Sequence, residues 1–175
     1  MECPVCGNRL SERVVDAVTV DVCDGGCGGI WFDNYELEKM DEKHEPAGKM
    51  LWDIPFDPRV KVDQTRQRYC PKCSGIIMMR HFFSPKQQVE IDECAGCGGV
   101  WLDRGELGRI RNLYDSPADR EQATREFIEQ TVRPRLSEMK AKNQEELRRA
   151  RKFSRIFRFI CPTYWIPGKQ EWGAF

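Results

Sequence analysis

A chain of 175 residues has room for one ordinary domain or a few very small ones, and its 28 basic and 28 acidic residues cancel. With 32% charged residues and a mean hydropathy of −0.63, it carries little apolar mass, and no run approaches the roughly 18 apolar residues of a spanning helix. Met1-Glu2-Cys3 does not read as a secretory leader. The expectation is therefore a cytoplasmic protein whose nine cysteines are neither a disulfide framework nor core packing.

In chain order, the first segment is residues 1–45. It opens on Cys3-Pro4-Val5-Cys6, continues through Val14, Val18, Val20 and Val22, which share one strand parity, and reaches Cys23-Asp24-Gly25-Gly26-Cys27. After Trp31, the run Asp33-Asn34-Tyr35-Glu36 has capping-box spacing and predicts a helix start. Residues 46–69 follow, with Pro46, Pro55 and Pro58 around Leu51, Trp52, Ile54 and Phe56. So apolar a stretch predicts an ordered strap rather than a flexible linker. Residues 70–115 then repeat the first segment. Cys70-Pro71-Lys72-Cys73 answers CPVC at an offset of 67, and Cys97-Gly98-Gly99-Val100-Trp101-Leu102-Asp103 answers Cys27 to Asp33 at an offset of 70. Between the pairs, Met78, Arg80 and Phe82 share a parity, Ser84-Pro85-Lys86 offers a turn, and Val89 and Ile91 follow. Asp103-Arg104-Gly105-Glu106 has the same capping-box spacing.

Paired C-x2-C turns are the natural way to present four thiolates to a tetrahedral ion at ~2.3 Å. In the second module, twenty residues separate Cys73 from Cys94, within the range of structural zinc sites. The first module has one extra residue between Cys23 and Cys27, a spacing zinc tolerates. A pair of redox dithiols is the competing reading, but that motif needs a βαβ setting for which these modules are too small. His44 and His81 have no partners at ligand spacing. Trp31 and Trp101 read as core beside the metal knuckles.

The strings CGGIWFDNYEL and CGGVWLDRGEL, each preceded by CPxC, resemble the bacterial transcription factor zinc-finger family, a transcription-factor-IIB-type zinc ribbon. The resemblance implies one Zn2+ on Cys3, Cys6, Cys23 and Cys27 and a second on Cys70, Cys73, Cys94 and Cys97. The family's description implies transcription. Charge weighs against phosphate binding by the ribbons: residues 1–45 hold 11 acids against 4 bases, and residues 70–115 hold 6 of each. Neither has the clustered cations that phosphate contact needs.

Residues 116–160 predict a helical arm. Ser116-Pro117-Ala118-Asp119 is a start signal, Pro134 should end or kink the first helix, and a second helix should run from about 135 to 160. Its apolar stripe is Leu136, Met139, Leu147, Ala150, Phe153, Phe157 and Ile160, interrupted by Asn143. Arg148, Arg149, Arg151, Lys152, Arg155 and Arg158 are unrelieved by any acid from 148 to 160. Residues 161–175 are an aromatic tail with Trp165 and Trp172, and Cys161 reads as a free thiol.

The fold expectation is a small, metal-stabilised α+β protein: two tandem zinc ribbons, each a short antiparallel β-ribbon with a short helix, then the helical arm. No catalytic constellation is present, and four thiolates leave zinc no open position. The functional expectation is a non-enzymatic zinc-binding adaptor or scaffold that docks on a larger assembly, transcription- or RNA-related. Its candidate contacts are the six bases of the arm with Phe153, Phe157, Trp165 and Trp172. A protein partner leads, with nucleic acid or a membrane surface as alternatives and no small-molecule substrate. The second reading is a zinc-thiolate redox sensor or oxidoreductase.

Overall fold

The computed structural model describes residues 1–41 and 50–156. His44, Pro46, Phe157, Arg158, Ile160, Cys161, Trp165 and Trp172 lie outside the described residues. The chain divides into two units, Met1–Arg125 and Glu126–Phe175.

The first unit is built on one sheet. Ribbon 1 contributes β1 (Ser11–Val15), β2 (Val18–Val22) and β3 (Ile30–Phe32), and ribbon 2 contributes β4 (Met79–Phe82), β5 (Glu90–Glu93) and β6 (Val100–Leu102). All pairings are antiparallel, in the order β1-β2-β3-β6-β5-β4. The two ribbons were expected side by side in sequence; they are joined edge to edge through β3 and β6. Trp31 stands opposite Trp101, Ile30 opposite Leu102 and Phe32 opposite Val100. The central register thus equals the 70-residue repeat, and the two copies face each other across a local two-fold.

Strand alternation gives the sheet two apolar faces. One gathers Val15, Val18, Val20, Val22, Ile30, Phe32, Ile91 and Leu102 beneath Leu107 and Ile110 of α1 (Glu106–Arg111), with Leu37, Met40, Leu51 and Ile54. The other holds Trp31 and Trp101 with buried cysteines from both ribbons, Leu10 and Met78, and Val60 and Val62 pack against it. Val14 departs from the expected parity: it is exposed and Val15 is buried. A two-residue turn at Asp16-Ala17 sets Val15 opposite Val18, so inward positions are odd in β1 and even in β2.

Between Pro46 and Pro58, Leu51 and Ile54 are buried, while Trp52 and Phe56 are exposed. Arg104 lies over the Phe56 ring, 3.5 Å from its centroid.

The helix starts differ from a capping box. Glu36 and Glu106 do reach back, accepting from the Asp33 and Asp103 backbone N–H at 2.7 and 2.8 Å. The two aspartates do not cap. Each accepts from the indole Nε1 two residues earlier, Trp31 or Trp101, at 3.1 Å. α1 starts three residues after Asp103, behind Gly105 at φ 84°, and the described residues of ribbon 1 form at this point a three-residue 3-10 turn, Leu37–Lys39.

α2 (Pro117–Phe127) starts as its sequence predicts, with the Asp119 N–H donating to Ser116 Oγ at 3.2 Å and Ser116 Oγ–H donating to Asp119 Oδ2 at 2.8 Å. Its second turn is tied to the sheet unit by Arg120, which pairs with buried Asp41 at 2.8 Å. Ile128–Val132 follows as a π-helical turn and Arg133–Ile156 as α3. Pro134 therefore widens the helix instead of ending it. A proline ring clashes with the carbonyl four residues back, and a wider turn relieves that crowding.

Candidate metal centres

The four cysteines of each ribbon converge. Cys3, Cys6, Cys23 and Cys27 form one set and Cys70, Cys73, Cys94 and Cys97 the other, with all sulfurs of a set within 4.8 Å of one another. Cys3–Cys27 and Cys6–Cys23 are 3.4 Å apart and Cys70–Cys97 are 3.8 Å apart. A tetrahedron of sulfurs about zinc has edges of about 3.8 Å, from a Zn–S distance near 2.3 Å. These sulfurs are too far apart for the ~2.05 Å disulfide bond, and none of the eight is in a disulfide. Backbone amides assist, Val5 N–H toward Cys3 Sγ at 3.4 Å and Cys73 N–H toward Cys70 Sγ at 3.2 Å.

Electrostatics say what the sets require. Cys3 is lowered to about 5, chiefly because it accepts from the Cys27 thiol, which is raised in turn. Burial pushes Cys23 and Cys70 up to about 12. Cys94 falls to about 7: burial opposes ionisation there, but the N–H groups of Cys97 and Gly96 outweigh it. Four sulfurs this close cannot all ionise by themselves. A divalent cation relieves their repulsion and takes the place of the shared protons, and a tetrahedral all-sulfur donor set suits zinc.

The extra residue of ribbon 1 is held by the strap. Gly25 N–H donates to the Pro55 carbonyl and Asp57 N–H to the Gly26 carbonyl, both at 2.8 Å. Arg13 secures Asp24 at 3.2 Å. The C-x2-C loop of ribbon 2 has no such brace among the described residues.

Two features escape sequence reasoning. The first is a reciprocal packing of the fully buried indoles. A Cβ added at Gly29 would lie 2.2 Å from Trp101 Cζ2, and one at Gly99 would lie 2.1 Å from Trp31 Cζ2. The second glycine of each CGG is thus the seat of the other ribbon's tryptophan. The doubled glycine was a signal, but it did not say which ring fills the space. The second is a buried ion cluster in ribbon 2. Arg68 donates to Asp92 and Asp103, both at 2.8 Å, Arg80 donates to Asp92 at 3.0 Å, and Gln64 donates to Asp103 at 2.8 Å. Glu106 is buried beside it, and desolvation raises it to about 7. In ribbon 1, among the described residues, the matching Asp33 carboxylate meets Lys72, at 2.7 Å in a half-exposed pair, besides its indole.

His81 contacts Glu93 at 2.8 Å and is no part of either set. Of the candidate partner contacts, Arg148, Arg149, Arg151, Lys152, Phe153 and Arg155 lie exposed on α3, and Arg149 is paired with Glu145. No described helix is long and apolar enough to cross a membrane.

The family model described as Transcription factor zinc-finger matches residues 2–43 and 69–112. No curated protein and no solved structure matches the chain. With a four-cysteine site in each matched segment, the chain carries two tandem domains of the transcription factor zinc-finger family, a zinc-ribbon family, with one zinc per ribbon.

Proposed function

We propose that the protein is a non-catalytic adaptor in which two zincs hold a rigid sheet unit and the helical arm docks on a larger assembly. The observation that carries this is α3. Every side chain from Arg133 to Arg155 is exposed, including Leu136, Met139, Leu147 and Phe153 at 49, 59, 57 and 63%. A helix draws most of its stability from burying an apolar face, and this stripe is left for something else to cover. The zinc sites supply stability instead of chemistry, because four thiolates complete each shell. Docking within a transcription-related assembly agrees with the family's description.

Photo-crosslinking groups at Leu147 and Phe153 on α3, against others at the exposed Val14 and Tyr35 of ribbon 1, test this reading in the full-length chain. The expected result is crosslinking from the α3 positions alone. Crosslinks from Val14 and Tyr35 alone would make the ribbons the recognition surface.

A further inference from the structure

We propose, resting on the docking-arm reading, that the surface met by α3 is an anionic phospholipid bilayer on which the helix lies flat. Arg148, Arg151, Lys152 and Arg155 stand at steps of three, one and three. At about 100° per residue they fill an arc of about 100°. None of the four has an acidic partner among the described residues, and the nearby Glu145 is taken by Arg149. Leu136, Met139, Leu147, Ala150 and Phe153 form a second arc centred about 150° away by the same arithmetic. From 147 to 156 there is no acid, and α3 as a whole holds nine bases against three acids.

A flat lipid interface uses both arcs at once. The apolar one enters the boundary between headgroups and acyl chains. The basic one is attracted by the negative surface potential, which reaches about a Debye length, ~10 Å. Nucleic acid would use the basic arc and leave four large apolar side chains in water. Pairing with a second copy would bring Arg135, Lys140, Lys142 and Arg149 to the seam and its flanks, with Glu146 the one acid there to answer four bases. The sequence continues to Tyr164 and Trp165, residue types favoured at the headgroup level.

The test is sedimentation of the full-length, zinc-loaded protein with vesicles of phosphatidylcholine alone and with about 30% phosphatidylglycerol. Binding is expected only to the anionic vesicles and should weaken as salt rises. Each cation near such a surface contributes roughly five-fold. The Arg148→Gln, Arg151→Gln, Lys152→Gln, Arg155→Gln variant should therefore lose at least a hundred-fold. Leu147→Ser with Phe153→Ser should also release the protein, and both variants should keep two zincs, because all eight ligand cysteines lie outside α3. Unchanged binding in both variants, equal binding to neutral vesicles, or no vesicle binding overturns the proposal. No vesicle binding together with α3 crosslinks to a protein or RNA removes lipid as the partner and leaves the docking arm standing; absence of both removes the arm as well.

Discussion

The two ribbons bring four sulfurs to the same geometry with different supports. Ribbon 2 anchors its tryptophan and turn on a buried cluster of Arg68, Asp92, Asp103 and Arg80, and continues into α1. Ribbon 1 has a half-exposed Asp33–Lys72 pair, a single 3-10 turn, and a longer cysteine loop braced by Pro55 and Asp57 of the strap. At matching turn positions, ribbon 2 has Gly105 at φ 84° and ribbon 1 has Tyr35 at φ 67°. The sulfur geometry is thus fixed by the knuckles themselves, while each ribbon's share of stability is set by its surroundings. What the ribbons hold in common, the exchanged indoles, makes neither independent of the other.

The sharpest test of that interdependence is Cys97→Ser. Structural zinc is worth roughly 10–16 kcal/mol in small zinc peptides, so ribbon 2 should lose its ion and its order. Because Trp101 then leaves Gly29, ribbon 1 should also yield its zinc to a weaker chelator than in the wild type. A chelator titration followed by elemental analysis reads this, and an unaltered first site would show the ribbons to be independent.

Gly99→Ala comes next. Its Cβ would meet the Trp31 ring inside contact distance, and the cost should reach about 3 kcal/mol, the upper end of the usual range for overpacked core sites. Gly29→Ala should match it within error. Thermal unfolding of both variants measures the symmetry directly, and a wild-type melting temperature in either would refute the ring seats.

The ion pairs should separate the ribbons. Arg68→Leu removes the cation shared by two buried carboxylates, leaving Asp92 to Arg80 and Asp103 to neutral donors alone, and should cost about 3 kcal/mol, whereas Lys72→Ala breaks a half-exposed pair worth under ~1 kcal/mol. Similar denaturation midpoints for the two would mean the buried cluster has no special weight. Glu106 supplies a pH signature. Its carboxyl is raised to about 7 in the fold, so its contribution is fullest below the ordinary carboxylate range and is lost as pH rises through 7. Relative to Glu106→Gln, the wild type should lose about 2 kcal/mol between about pH 5.5 and 8. Parallel stability curves for the two proteins would contradict this.

The smallest effect belongs to Tyr35. A bulky residue in the left-handed region costs roughly 1–2 kcal/mol, and two-thirds of this side chain is exposed. Tyr35→Gly should raise the urea midpoint by an amount equivalent to about 1 kcal/mol. A lower midpoint would show that the ring contributes packing that outweighs its backbone strain.

Much of this was legible from spacing. Eight cysteines in two sets, strands between them and a long helix after Pro134 all follow from local pattern, because metal ligation and helix periodicity are short-range properties. The pairing of β3 with β6 was not legible. Three-residue strands carry almost no alternation, and nothing in Ile30-Trp31-Phe32 announces a partner seventy residues on. The buried cluster was hidden for a related reason. Arg68 and Asp92 are charged residues that read as surface, and only the fold shows that they neutralise one another in its interior. Asp33 and Asp103 misled in the opposite direction, since an aspartate three residues before a glutamate looks like a cap even when an indole claims its oxygen.

The exchanged indoles also bear on how the chain is made. Synthesis runs from the N-terminus, so Cys27 and Gly29 leave the ribosome long before Trp101 exists. Ribbon 1 can gather its four sulfurs early, yet the ring that completes its core arrives seventy-two residues after Gly29. Until then the growing chain holds an open socket, and the core beside its first metal site closes only when the second ribbon has been translated.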